Sequence, residues 1–200
     1  MLEIDLSTFP SLTTARLRLR QLTEGDAPAI HGIRSDPRVM QYVGRPRSNG
    51  PEDALALIAR TEADRAANAG LSWCIERLDQ VGLIGTIGLY RLKLEHHCAE
   101  VGYVLSPDHW GHGYMGEALD AVVGHAFESF RFHRVEAITE PRNQRSRQLL
   151  ERHGFTLEGV QRENYLWNGE FMGSALYGRL AGDRSNPARS SPSYGQEPPP

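Results

Sequence analysis

The most chemically suggestive stretch of the chain is Trp110-Gly111-His112-Gly113-Tyr114-Met115-Gly116, set between an apolar extended segment and an amphipathic helical pattern. Glycines at this junction let backbone approach a ligand closely, and the free N–H groups of a first helical turn point outward at it. Such a turn favours a phosphate or pyrophosphate. A plain connecting turn is the other reading. Gly111, Gly113 and Gly116 also match G-x-G-x-x-G, and Glu136 follows Gly116 by 20 residues, which raises a dinucleotide site. The fit is poor, because Ser106 to Trp110, with Pro107, separates the glycines from the strand, and Glu136 falls near the start of its own strand.

Other chemistry-bearing residues are scattered along the chain. Glu100 lies in an extended segment, and Glu140 ends the next one. Asn143 reads as a helix N-cap, with Ser146 in the first turn behind it. Arg142, Arg145 and Arg147 flank that helix start, as anion contacts or as solvated surface. Arg162, Tyr165 and Trp167 supply aromatic and basic groups beside the Asn168-Gly169 dipeptide, a hairpin signal, and Tyr42 is a further aromatic candidate from the first half of the chain. The 8 histidines show no H-x-x-x-H spacing, and the adjacent His96 and His97 point apart on extended backbone, so no metal site is expected. Cys74 and Cys98 form no C-x-x-C pair, which argues against a disulfide framework or a cysteine-based zinc site.

These residues need a scaffold, and periodicity supplies one. Arg16-Leu17-Arg18-Leu19-Arg20 alternates as a strand with one wet face. Thr23, with Asp26 three residues on, caps a helix that Asp36-Pro37 interrupts. Pro51 opens a second helix whose Ala54, Leu55, Ile58 and Ala59 share a face. Leu71 to Glu76 and Val81 to Leu92 are strands joined by a short turn at Asp79-Gln80, and Glu100 to Leu105 is the next. Leu119, Val122, Val123, Ala126, Phe127 and Phe130 mark a helical stripe. Val135 to Thr139 is a strand, followed by a helix from Gln144 to its left-handed cap at Gly154, and then strands at Phe155–Val160 and Ala175–Leu180. The pattern predicts an α/β (α+β) fold, a mixed sheet flanked by helices.

With its flanks the glycine loop looks like something more specific. Ala99-Glu100-Val101-Gly102-Tyr103-Val104-Leu105-Ser106-Pro107, Trp110 to Tyr114, Glu117-Ala118-Leu119, Asn143-Gln144-Arg145-Ser146, Leu149 to Phe155 and Glu158-Gly159 together resemble the GNAT N-acetyltransferase superfamily. Arg16 to Arg20 before Asp26-Ala27 is similar to the opening strand of its RimJ/RimL branch, the ribosomal-protein N-terminal acetyltransferases. The resemblance covers Thr13 to Leu180. It implies a twisted sheet of about seven strands, flanked by about four helices and splayed between Glu100–Leu105 and Val135–Thr139. The slot would take the pantetheine of acetyl-CoA against the peptide groups of Val104 and Leu105. The amides of Gly111, His112, Gly113, Tyr114, Met115 and Gly116 would hold its pyrophosphate, with Asn143 and Ser146 also at the cofactor.

Acetyl transfer to an amine needs a base, an oxyanion donor and a proton for the departing sulfur. The resemblance implies Glu100 as base, with Glu140 in reserve, the Leu105 N–H as oxyanion donor and Ser146 as acid. Three positions depart from the family pattern: Met115 replaces a small residue, His112 a basic one, and Leu150 the tyrosine that many members use as acid. Tyr42, Tyr165 and Trp167 are expected on the acceptor side, where Arg162 is a further candidate.

The 200 residues suit one domain, placed here at 1–180 with a Pro/Ser-rich disordered tail at 181–200 that holds 5 prolines and 4 serines. A net charge of −3 gives no electrostatic motive for nucleic-acid or anionic-membrane binding. The acidic N-terminus lacks signal-peptide character and no apolar run approaches a membrane span, so a soluble cytoplasmic protein is expected. The expected function is acetyl-CoA-dependent N-acetylation of a primary amine, foremost a protein N-terminal α-amine. A small-molecule amine (amino acid, polyamine or aminoglycoside), a non-catalytic CoA-binding module and a NAD-dependent enzyme are the alternatives. The oligomeric state is left open, a homodimer included.

Overall fold

The computed structural model describes residues 2–183. The tail expected at 181–200 lies outside the described residues from 184 onward.

Strands β1 (Leu12–Thr13), β2 (Leu17–Gln21), β3 (Leu71–Arg77), β4 (Gln80–Lys93) and β5 (Cys98–Leu105) form an antiparallel run. Beyond it lie β6 (Arg134–Thr139), β7 (Thr156–Trp167) and β8 (Glu170–Leu180), giving the order β1-β2-β3-β4-β5-β6-β8-β7. The sheet thus has 8 strands. The extra one is the two-residue β1, too short to carry a periodicity. Helices α1 (Ala27–Ser35), α2 (Pro37–Met40), α3 (Pro51–Ala66), α4 (Tyr114–Glu128) and α5 (Gln144–Arg152) complete the fold.

Local rules set most boundaries. Asp26 closes a capping box with Thr23 and accepts a two-pronged contact from Arg20, each bond 2.8 Å. Pro37 cannot continue α1, and the Asp36 side chain caps α2 by accepting from the Arg38 N–H. Asn168 and Gly169 both take positive φ, so the hairpin between β7 and β8 turns as its dipeptide foretells. Gly154 ends α5 in the left-handed region, as expected. Strands β7 and β8 run longer than their apolar cores suggest, because pairing continues outward to the turn.

The sheet buries both faces. On one, Leu17, Leu19, Trp73, Ile87, Leu89 and Val101 pack with Leu119, Val122 and Val123 of α4. On the other, Ile30 and Ile33 of α1 and Ala54 and Ile58 of α3 close over Cys74 and Leu83. Each large apolar side chain removed from water contributes roughly 1.5–3 kcal/mol, so the helices are held by their stripes and not by propensity. Cys74 and Cys98 are both free and buried, and burial pushes the Cys74 thiol up to about 12.

One junction is different. Strands β5 and β6 are parallel and pair only at Cys98–Arg134, Ala99–Val135 and Glu100–Glu136. Past Glu100 the two strands part, while each stays paired to its outer neighbour. The sheet opens there as a V.

Candidate active site

Register decides which backbone groups the V exposes. The Ser106 N–H donates to the Ile84 carbonyl at 2.8 Å, and Gly85 pairs with Leu105. Alternation along an antiparallel pair then gives Glu100, Gly102 and Val104 their hydrogen bonds to β4 and turns those of Tyr103 and Leu105 toward β6. The Val104 carbonyl accordingly lies only 2.5 Å from where a Cβ on Gly85 would sit. This corrects the expectation for Val104, whose own amide and carbonyl face β4. The V receives the Leu105 N–H and both backbone groups of Tyr103, a residue the sequence reading left out. The Leu105 carbonyl is taken by the Trp110 indole N–H at 3.0 Å.

The V leads into the glycine loop. Gly111 and Gly113 have φ of 80° and 78°, a region that costs other residues about 1–2 kcal/mol. Gly113 is the N-cap of α4, and the first backbone bond of that turn runs from the Glu117 N–H to the Gly113 carbonyl at 3.1 Å. The amides of Tyr114, Met115 and Gly116 therefore have no acceptor within the helix. Glu117 anchors this turn by accepting from the Thr14 hydroxyl at 2.5 Å and from the Arg16 N–H at 2.8 Å. His112 stands apart: its ring stacks on Tyr114 with centroids 5.7 Å apart, and its carbonyl accepts from Arg16. Gly111, Gly113, Tyr114, Met115 and Gly116 line the cleft and the His112 side chain does not.

Asn143 behaves as its position foretells, its Oδ1 accepting the Ser146 N–H at 3.2 Å. The Ser146 hydroxyl lies 2.9 Å from the Tyr103 hydroxyl, so the two sides of the V are bridged at one point. Burial pushes the Tyr103 phenol up to about 12, against the opposing Ser146 contact. It stays protonated at neutral pH. Leu150, where a tyrosine was the family pattern, is packed into the core.

The two carboxylates differ in access. Glu100 pairs with Arg91 at 2.5 Å, and the Arg91 side chain is exposed. Glu140 is buried, bound to the Arg142 side chain at 2.8 Å and backbone at 2.9 Å. The arginines also separate. Arg142 reaches Glu170 at 2.8 Å, and Arg147 binds the Tyr177 hydroxyl and the Pro141 carbonyl. Arg145 alone of the three makes neither an ion pair nor a guanidinium hydrogen bond among the described residues; it sits over the Trp110 ring at 4.7 Å and on the cleft wall.

The V, the loop and a second chamber form one continuous cleft of about 2020 Å³, more than the roughly 300–1,000 Å³ of a single small-ligand pocket. Glu100, Ser146, Asn143, Tyr42 and Tyr165 all line it; Trp167 and Arg162 do not. Tyr165 lies against Gly44, whose φ of 61° and missing side chain admit the ring. The arrangement fits a ligand with an extended amide-bearing arm and a diphosphate: free strand-edge groups for the arm, and free helix-end amides with no acidic side chain on them for the phosphates. Among the described residues no cluster of three or more His, Cys, Asp or Glu could hold a metal, and no helix is long and apolar enough to cross a membrane.

Comparison with known proteins agrees with this geometry. The model of the acetyltransferase (GNAT) domain family matches residues 16–156. The chain is 38% identical over 169 residues to the uncharacterized N-acetyltransferase YoaA of Bacillus subtilis, covering 84% of this chain and 96% of that one. A ribosomal-protein-serine acetyltransferase of Escherichia coli is 33% identical over 98 residues, covering 49% of this chain and 55% of the other. The solved structure of RimL, a ribosomal-protein α-N-acetyltransferase in complex with coenzyme A, superimposes with a TM-score of 0.76 at 19% identity, covering 86% and 98% of the two chains.

Proposed function

The chain belongs to the GNAT acetyltransferase family, and we propose that it transfers acetyl from acetyl-CoA directly to a primary amine, with a protein N-terminal α-amine as the leading acceptor. The observation that carries this reading is the V itself. Its free β5 edge at Tyr103 and Leu105 runs straight into the unpaired amides of α4, so one ligand can use both. The protein-acceptor part is supported by the names of two similar proteins, the ribosomal-protein-serine acetyltransferase and RimL.

Acetyl-CoA supplies the acyl group as a thioester. The chain's residues supply the rest. The Leu105 N–H, aimed into the V, donates to the oxyanion as charge builds there. Glu100, on the last paired rung before the V opens, takes the proton of the ammonium through water, released from Arg91 by that side chain's exposure. Glu140 is tied down from two directions and is the weaker base candidate. Ser146 gives its proton to the departing sulfur; the Tyr103 hydroxyl lies 2.9 Å from the Ser146 oxygen, and the orientation in which the phenol donates is the one that leaves the serine proton free to point outward.

A small-molecule amine remains the second acceptor class. Thiol release from acetyl-CoA with N-terminal peptides beside free amines tests the reading. Turnover that falls in both Glu100→Gln and Ser146→Ala supports the roles assigned; CoA binding without turnover on any amine contradicts them and favours a binding module.

A further inference from the structure

The acceptor end of the cleft has a floor and a wall whose chemistry is unlike the cofactor end. Tyr90 of β4 forms the floor. Its ring lies flat across the sheet because Gly88 and Gly102 beneath it have no side chains: a Cβ on Gly88 would meet the Tyr90 hydroxyl at 2.5 Å, and one on Gly102 would meet the ring at 3.3 Å. The Ser72 hydroxyl fixes it from β3 at 3.0 Å.

Three arginines from different elements line the same cleft as this ring: Arg34 in the last turn of α1, Arg45 after α2, and Arg60 on α3. Among the described residues none of the three makes an ion pair or a guanidinium hydrogen bond. Arg34 is half-buried. Burial depresses its pKa, Tyr90 opposes, and the like charges of Arg45 and Arg60 depress it further. The nearby carboxylates do not offset this charge. Glu100 is held by Arg91 and Glu140 by Arg142, which leaves Asp64 against three cations.

A helix C-terminus favours one cation, which accounts for Arg34 alone. It does not account for three converging on a concave surface beside the base, where like charges repel and a half-buried guanidinium lacks a partner. We infer that the acceptor amine carries an anionic group, a carboxylate for which Arg34, Arg45 and Arg60 are the receptor. In a protein substrate this is an Asp or Glu side chain close behind the N-terminus; in a free amino acid it is the acid itself. The same positive field disfavours the ammonium form of the bound amine and so raises the share of the nucleophilic neutral form. Cationic acceptors such as polyamines are selected against.

This inference rests on the acetyltransferase reading above, and kcat/KM for a matched acceptor set separates the two. The set is Ser-Asp-Glu, Ser-Asn-Gln and Ser-Lys-Lys peptide amides, with free glutamate and spermidine. The acidic peptide or glutamate should exceed the neutral peptide by about tenfold or more, the usual reach of one charge-assisted hydrogen bond, and the cationic acceptors should fall below it. Arg34→Gln should bring the acidic-to-neutral ratio toward one, mainly through KM, while Arg34→Lys keeps a preference. Whether peptide or glutamate leads assigns the source of the carboxylate, and either sustains the anionic class. A neutral or cationic acceptor used as well as the acidic one overturns the inference and leaves the transferase reading standing. An acidic preference undiminished in Arg34→Gln also overturns the assignment. Thiol release from no amine at all overturns the transferase reading and this inference with it.

Discussion

The hydroxyl of Tyr103 lies 2.9 Å from that of Ser146, joining β5 to the first turn of α5 across the open part of the V. Tyr103 is the residue whose backbone also faces the V, so one side chain and one strand edge meet at the same place. Tyr103→Phe keeps the ring and removes the bridge. It should lower kcat by about tenfold, the worth of one hydrogen bond to a group that becomes charged, with the KM for acetyl-CoA little changed. Ser146→Ala should lower it further, because the proton donor itself is gone. Steady-state thiol-release kinetics on both variants check this; equal activity in Tyr103→Phe removes the bridge from the mechanism.

Glu100→Gln should reduce kcat by roughly a hundredfold or more, the scale of a lost general base, without changing CoA affinity. Glu140→Gln should act differently. Its carboxylate holds Arg142 by side chain and backbone, so the variant loses thermal stability first. Melting temperature and kcat measured on both proteins distinguish a base from a strut.

Gly113→Ala places a Cβ on a backbone with φ of 78° at the cap of α4, costing about 1–2 kcal/mol where that conformation is kept. If the loop relaxes instead, the amides of Tyr114 to Gly116 lose their common aim. Either way CoA affinity should drop severalfold, as read by calorimetric titration. Arg145→Ala should weaken CoA binding by a smaller factor, since among the described residues its guanidinium makes no hydrogen bond or ion pair and lies over the Trp110 ring.

Asp26 should contribute to the acid sensitivity of the fold. Burial pushes its carboxyl up, but hydrogen bonds from Arg20 and Thr23 outweigh it and hold the group below the ordinary carboxylate range. A depressed native pKa stabilises the fold above the unfolded value near 3.9, and that contribution disappears as pH falls through the native value. Asp26→Asn should therefore lose stability at neutral pH, by about 3 kcal/mol for a broken buried pair, and show a flatter acid limb below pH ~4. Urea melts across pH on both proteins check the sign.

What could be read from the chain depended on how local its cause was. The glycine loop, the Asn143 cap, the Thr23–Asp26 box and the Asn168-Gly169 hairpin each follow from backbone rules within a few residues, and the structure has all four. The facing of backbone groups did not follow. Whether Val104 or Tyr103 addresses the V is set by the register of β4 on β5, which is settled by packing between segments far apart in sequence. The Tyr103–Ser146 bridge spans 43 residues for the same reason. Tyr90 and Arg34 went unread because an arginine at a helix end and a tyrosine in a strand are ordinary until a concave surface brings them together. Alternation within Glu100 to Leu105 offered one usable signal, since residues at odd positions share a side once any one pairing is known.

A crystal structure of the protein with coenzyme A addresses the opened sheet directly. The account expects β5 and β6 to stay parted beyond the Glu100–Glu136 rung, with the pantetheine arm bonded to Tyr103 and Leu105 and the diphosphate on the amides of Tyr114, Met115 and Gly116. Coenzyme A bound elsewhere, with the two strands paired through Leu105 and Thr139, would contradict it.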